Sequence, residues 1–229
     1  MSRAEKERLH VVIGTTSGDL TNIEHLIELF VNKQANMSNA RVLLGYAFPI
    51  VFFATCLKDA EALRRLLIDE SLVIKEANGN PITIDRGNTL MHTAAMNSAS
   101  CTQLLVEDGR VDVNRRNDDG ETPLYVAMKY NHDDAVKALL SAKKIRINSR
   151  DVMGRTMLHK AVIDSNVNVV KQILALVGNT YGEDGGSLDA NLMDDLGHVP
   201  GYYISSIRDT EIANAIRELF SNAGAYFSP

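Results

Sequence analysis

The sequence predicts an all-α solenoid of stacked helix–turn–helix units, because one short segment recurs at a fixed interval and each copy carries apolar residues at helical spacing. Gly87-Asn88-Thr89-Leu90-Met91-His92-Thr93-Ala94-Ala95, Gly120-Glu121-Thr122-Pro123-Leu124-Tyr125-Val126-Ala127-Met128 and Gly154-Arg155-Thr156-Met157-Leu158-His159-Lys160-Ala161-Val162 share one pattern. Thr89 and Thr122 stand 33 residues apart, and Thr122 and Thr156 stand 34 apart. A period of this size belongs to short helix pairs, each too small to bury its apolar face alone, so neighbours must stack. Composition agrees: 45% hydrophobic and 23% charged residues suit a folded chain, and the absence of Trp suits helices that approach through Ala and Leu.

The clearest unit spans 117–150, and its residues justify its elements in order. Asp118-Asp119-Gly120 is turn chemistry, with Gly supplying a positive φ. Thr122 sits where a hydroxyl caps a helix, and Pro123 occupies the first helical position, where a missing N–H costs nothing. Leu124, Ala127 and Met128 make one apolar stripe; Asn131-His132 breaks it. A second helix follows with Ala135, Val136, Leu139 and Leu140 on one side, and Ile145-Arg146-Ile147-Asn148 is an extended return.

On these residues the chain resembles the ankyrin-repeat family, whose consensus has a Gly, then Thr-Pro-Leu-His, a small Ala-Ala pair, Gly-His, and a helix of Val-Val and Leu-Leu character. Residues 85–174 carry the resemblance, with Asn114 and Asn148 at the unit-closing Asn and Val169-Val170-Lys171-Gln172-Ile173-Leu174 as a second helix. The resemblance implies an ankyrin solenoid with β-hairpin-like turns. It also implies that His92 and His159 bond to Thr and backbone groups within and between units rather than acting in catalysis.

The flanks extend the array. Units are expected at about 5–38, 45–78, 85–116, 117–150, 151–178 and 191–222, giving one domain of six repeats and about twelve helices over residues 1–229. Gly18-Asp19-Leu20 belongs to the first repeat, which lacks the Thr-Pro cap. Phe52 stands in the His slot of the second, ahead of Leu63, Leu66 and Leu67. In the sixth, Gly197-His198-Val199-Pro200 opens the unit, but Gly201, Tyr202 and Ile204 replace Leu, His and Ala, which predicts a short or irregular first helix. Insertions at 75–84 and 178–188 are expected to be loops at unit boundaries, the second flexible and solvated, and the tail 223–229 is expected to be unpacked.

Several function classes fall away. The formal charge is −5, from 24 basic and 29 acidic residues with no basic block, so a nucleic-acid partner is not expected. Cys56 and Cys101 are too few for a disulfide framework, which fits a reducing, cytoplasmic setting. Leu9-His10-Val11-Val12-Ile13 is too short for a signal or a membrane span, and the apolar run from Phe48 ends at Lys58. Cys101 reads as a buried small hydrophobe. Glu183-Asp184-Gly185-Gly186 lacks the Lys and hydroxyl of a phosphate loop and the carboxylate spacing of a calcium loop. Neither an enzyme nor a cofactor or metal site is expected.

What remains is a partner protein. The resemblance implies binding through the turn tips and the exposed edges of the first helices. Carried over, the turn positions are Arg86, Asn88, Asp118, Asp119, Glu121, Val152, Met153, Arg155, Asp195, Leu196 and His198; the helix edges add Met96, Lys129, Tyr130, Ile163 and Asp164. Tyr130, Val152, Met153, Ile163 and Leu196 are apolar where folding does not ask for it, and exposed apolar side chains of this kind mark contact sites. The expected function is a monomeric scaffold, adaptor or inhibitor, with Asp118, Asp119 and Glu121 selecting a basic rim. The second reading is a subunit of a larger assembly or a secreted microbial effector that imitates a host scaffold.

Overall fold

The computed structural model describes residues 50–56, 58–68, 83–184 and 186–227. The expected first repeat, both ends of the second and most of the first insertion lie outside the described residues. Contacts divide the chain into two bodies, Met1–Asp112 and Val113–Pro229.

In the N-terminal body, α1 (Ile50–Cys56) and α2 (Ala60–Leu67) form one helix pair, and α3 (Leu90–Asn97) and α4 (Ala99–Asp108) form the next. First helices pack on each other (α1 on α3) and so do second helices (α2 on α4), the layering that the period predicts. Val51, Phe52, Ala54, Leu63 and Leu66 are buried, as are Leu90, Met91, Ala94, Ala95 and Leu105. Asp59 and Ser98 cap α2 and α4 through the amides of Ala62 and Cys101. Cys101 is fully buried, and burial pushes its thiol up. Arg110, clamped by Asp108, donates from Nη2 to the Leu67 carbonyl at 2.9 Å and so ties the ends of the two pairs together. Thr83–Ile84 (β1) pairs antiparallel with Asn88–Thr89 (β2), so the last two residues of the first insertion form one arm of a hairpin.

The C-terminal body continues with α5 (Pro123–Lys129), α6 (Asp133–Leu140), α7 (Met157–Ile163) and α8 (Val167–Leu174). A hairpin of β3 (Thr180–Tyr181) and β4 (Gly186–Ser187) follows, then a 3₁₀ helix (Pro200–Ser206) and α9 (Thr210–Ala223). The 3₁₀ helix packs on α7 and α9 packs on α8, again first on first and second on second. Leu124, Val126, Ala127, Leu139, Leu158, Val170, Ile173, Ile204, Ile216 and Phe220 fill the core.

Side chains at the repeat period hold successive pairs in register. Asn114 donates to the Lys144 carbonyl at 2.7 Å and accepts from the Arg146 amide at 2.7 Å. Asn148, 34 residues on, does the same with the Ser187 carbonyl and the Asp189 amide, at 2.8 and 3.0 Å. The register therefore resumes beyond the second insertion, which is set aside as the β3–β4 hairpin. That segment was expected to be a flexible solvated loop; Glu183, Asp184, Gly186 and Ser187 are exposed, as expected, but the chain is pinned there. The Glu183 amide donates to the Lys143 carbonyl at 2.7 Å, and Gly182, at φ 72°, lies so close to the Ile145 carbonyl that a Cβ would stand 2.8 Å from it.

The tail is likewise packed. Ala225 is buried, the Tyr226 amide donates to Asn191 Oδ1 at 2.7 Å, and the Phe227 and Phe220 rings lie 6.0 Å apart. A Cβ on Gly201 would meet the Tyr226 carbonyl at 2.1 Å, which is why Gly replaces the usual Leu there. The irregular first helix of the sixth repeat is confirmed: Val199 offers no capping hydroxyl, and the segment winds as 3₁₀.

Candidate protein-interaction surface

Each turn tip of the C-terminal body is built by an Asx residue five positions before the helix cap. Asn117 Oδ1 accepts the amides of Asp119 and Glu121 at 3.1 and 2.9 Å. Asp151 Oδ1 accepts those of Met153 and Arg155, both at 2.9 Å, and Asp194 Oδ1 those of Leu196 and His198, both at 2.9 Å. Backbone bonds close the same three turns: Asn117 N–H to the Glu121 carbonyl, Asp151 to Arg155 and Asp194 to His198, at 2.9–3.0 Å. Gly120, Gly154 and Gly197 take φ of 73–80° at the corner. These Asx residues were not among the candidate residues, although their fixed offset from Thr122, Thr156 and Val199 is visible in the sequence.

The helix caps behind the tips explain the histidines. Thr122 Oγ1 accepts the Tyr125 amide at 3.3 Å, with Pro123 at the first helical position. In the repeats led by Thr89 and Thr156, the His at the third helical position reaches back instead. Thr89 N–H donates to His92 Nδ1 at 3.2 Å and Thr156 N–H to His159 Nδ1 at 3.1 Å, a capping box with imidazole in the usual Glu or Gln place. His159 Nε2 faces the His198 carbonyl at 3.0 Å, so that nitrogen carries the proton and the ring is neutral; burial lowers its pKa. The structural role expected for His92 and His159 is thus present.

The turn tips then divide. Asp118, Asp119, Val152, Met153, Asp195 and Leu196 are exposed, Val152 by 97% and Leu196 by 75%. Tyr130, at the C-terminal end of α5, and Ile163, at that of α7, are exposed as well. The Asp195 amide donates to the Met153 carbonyl at 3.0 Å, which brings the tips of the fifth and sixth repeats together. His198 is half-buried and stacks face to face on Tyr202 at 3.7 Å, with Tyr203 edge-on to both rings. In the N-terminal body Arg86 is exposed at φ 58°, while Asn88 and Met96 are half-buried.

Glu121 departs from its expected place on an acidic rim. It is only 5% exposed, and its carboxylate takes Lys129 Nζ at 2.7 Å, an ion pair that raises the Lys129 pKa through that hydrogen bond. The turn that exposes Asp118 and Asp119 directs Glu121 inward, toward α5. Asp164 is also engaged: Tyr125 Oη donates to it at 2.6 Å and Lys160 Nζ lies 3.2 Å away, while the Tyr125 pKa is raised by burial and by this bond. Arg155 pairs with Asp151 through Nε and Nη2 at 2.9 and 2.8 Å. Lys129, Asp164 and Arg155 are therefore held in place rather than waving in solvent.

Between α7 and the start of α9 lies an open groove of about 610 Å³. It joins Arg155 and Ile163 to residues that the repeat pattern does not single out, namely Ser165, Tyr203, Ser206, Ile207, Arg208 and Asp209. Asp194 accepts the Tyr203 hydroxyl; burial works to raise its pKa, and this bond with the His198 and Leu196 amides outweighs that and lowers it. The same bond pushes the Tyr203 pKa up to about 12. Among the described residues no three His, Cys, Asp or Glu side chains come together to hold a metal ion, and no helix is long and apolar enough to cross a membrane.

Comparison with known proteins identifies the architecture. A family described as "Ankyrin repeats (3 copies)" matches residues 51–151 and 101–184. B-cell lymphoma 3 protein homolog of Mus musculus is 34% identical over 114 residues, covering 47% of this chain and 25% of its own length. Glycerophosphocholine phosphodiesterase GDE1 of Candida albicans is 31% identical over 120 residues, covering 52% of this chain and 10% of its own length. The chain thus spans a quarter or less of these relatives. A crystal structure of EF0377, an ankyrin repeat protein, superposes with a TM-score of 0.55 at 19% identity, covering 77% of this chain and 81% of that one. Recurring Thr-capped helix pairs, Asx-closed turns and this match over more than half of the sequence together make the chain a member of the ankyrin-repeat family.

Proposed function

We propose that this protein is a non-catalytic protein–protein interaction module, a scaffold, adaptor or inhibitor, that docks a partner protein on its turn tips and first-helix edges. Ankyrin repeats generally mediate protein–protein interaction and are typically non-catalytic, and the proposal narrows that to particular residues of this chain. The observation that carries it is the pairing of rigid turns with exposed apolar side chains. Asp151 and Asp194 fix the backbones from which Val152, Met153 and Leu196 project, so little conformational freedom is left to lose on docking.

Tyr130, Met153 and Ile163 form the centre of the proposed face. Asp118, Asp119 and Asp195 are its acidic rim, and Arg86, Asn88, Met96, Val152, Leu196 and His198 are further contacts. Lys129, Asp164 and Arg155, held by intramolecular pairs, present fixed charges at its edge, and Glu121 supports it from within. A stable complex of this kind buries on the order of 1,200–2,000 Å². Its working form is a cytoplasmic monomer without cofactor; the net charge of −5 and the lack of a basic block support a protein rather than a nucleic-acid partner.

The test is crosslinking capture from native lysate by the wild type and by a Tyr130→Ala, Met153→Ala double variant with an unchanged helical spectrum. Loss of a captured protein from the variant supports this face. Equal capture by both moves binding elsewhere on the chain and overturns the assignment.

A further inference from the structure

The groove beside α7 differs in chemistry from the turn tips. Ile163 closes the last turn of α7, and Ile207 lies on the link into α9; they give the groove its aliphatic side. Its polar groups are mostly committed elsewhere. The Tyr203 hydroxyl donates to Asp194, the Asp209 carboxylate caps α9 through the amides of Glu211 and Ile212, and Arg155 is paired with Asp151. Arg208 is exposed and makes no hydrogen bond or ion pair with any described residue. One open guanidinium thus stands beside an aliphatic pair in an open groove of about 610 Å³, a volume in the range of ligand sites.

We infer that this groove binds an extended acidic segment of the partner protein, an aliphatic side chain resting on Ile163 and Ile207 and the neighbouring Asp or Glu carboxylate pairing with Arg208. A guanidinium presents its donors in a planar fork that matches a carboxylate and holds its charge at any working pH. The inference rests on the interaction-module reading and names the partner chemistry for one part of that surface. Arg155 is neutralised by Asp151 and the Asp209 carboxylate is held at the α9 cap, so Arg208 is the cation left to select the segment.

The test uses the full chain and a fluorescein-labelled peptide with blocked ends and a Leu-Asp-Leu-Asp core, read by anisotropy. Saturable binding is expected, weakened by about ten-fold or more when Asn replaces Asp in the peptide, and by a similar factor in Arg208→Glu, with Arg208→Lys retaining part of it. The unfolding midpoint of both variants should match wild type, since Arg208 is exposed and makes no hydrogen bond or ion pair with any described residue. Equal binding of the Asp and Asn peptides, no binding at all, or an affinity indifferent to Arg208→Glu would each overturn the inference. So would binding that requires a free peptide C-terminus, or sedimentation showing a dimer that Arg208→Glu dissolves. If the Tyr130→Ala, Met153→Ala variant loses a captured protein while the peptide fails, the interaction-module reading stands and only the groove assignment falls. If both proteins capture alike, the reading of the turn-tip face falls whatever the peptide does.

Discussion

At the residue scale, the candidate surface depends on three Asx side chains that hold turns rather than touch partners. Asp194→Ala removes the acceptor for two amides and leaves the Tyr203 hydroxyl unpaired, so a loss of about 2–3 kcal/mol is expected in urea unfolding. Asp151→Asn keeps the Oδ1 acceptor, as Asn117 does one repeat earlier, and forfeits only the pair with Arg155; less than about 1 kcal/mol should be lost. The same variant has a pH signature. Burial tends to raise the Asp151 pKa, but the Arg155 and Met153 hydrogen bonds prevail and hold it below 3.8. Its contribution is full above the unfolded value and is lost as pH falls through the lower folded one, so Asp151→Asn should flatten the stability profile at the acid end. His159 acts in a higher window. Its folded pKa lies below the ordinary 6.5, so the unfolded chain takes up a proton first as pH falls. Stability should be constant above about pH 7 and decline below 6.5, and His159→Gln should remove that decline. Unfolding curves at pH 7.5 and 5.5 decide it; an unchanged slope in the variant would assign the decline to another group.

At the element scale, the helix pairs turn their corners on residues that strain the backbone. Lys58, Asn131 and Ser165 all take φ of 56–60° between a first and a second helix, where the family consensus has Gly. Asn tolerates the left-handed region; Lys and Ser do so at a cost. Ser165→Gly should therefore stabilise the C-terminal body by about 1 kcal/mol, seen as a raised unfolding midpoint; a lowered midpoint would mean that the Ser side chain compensates the strain. The elements themselves were legible in the sequence because the period repeats every decisive signal: Thr122-Pro123 starts a helix, and His92 and His159 recur three residues after Thr. The second insertion was legible as exposed chain but not as ordered chain. Its Gly and acidic residues look like a solvated loop, and the bond that orders it runs to the Lys143 carbonyl, a backbone group that no side-chain pattern announces. Gly182→Ala places a Cβ against the Ile145 carbonyl at positive φ, so hydrogen exchange at the Glu183 amide should accelerate while the helices keep their protection.

At the scale of the whole molecule, the candidate face was half legible. The repeat located the tips, and Val152, Met153 and Leu196 do project from them, but it could not show that Glu121 turns inward to Lys129, nor that Arg208 reaches a groove. The first depends on how the Asx-closed turn aims Glu121 within its own repeat, and the second on where the fifth repeat meets the sixth, which breaks the pattern at Val199, Gly201 and Tyr202. In α9, Asn214, Arg217, Glu218, Ser221 and Asn222 form an exposed polar face. The tail packs beside it: Ala225 is buried, Tyr226 hydrogen-bonds Asn191, and Phe227 meets Phe220 over the space that Gly201 leaves. Removing residues 225–229 should thus act as core damage, lowering stability by about 2 kcal/mol, because it uncovers Phe220 and exposes the 3₁₀ helix edge. The deletion should also weaken the groove, whose Tyr203 and Ser206 belong to that 3₁₀ helix. Urea unfolding of the truncated chain reads the first effect and peptide anisotropy the second. An unfolding midpoint equal to wild type would show that the tail contributes nothing to the fold, and a groove affinity lost without any loss of stability would place the tail in the binding surface itself.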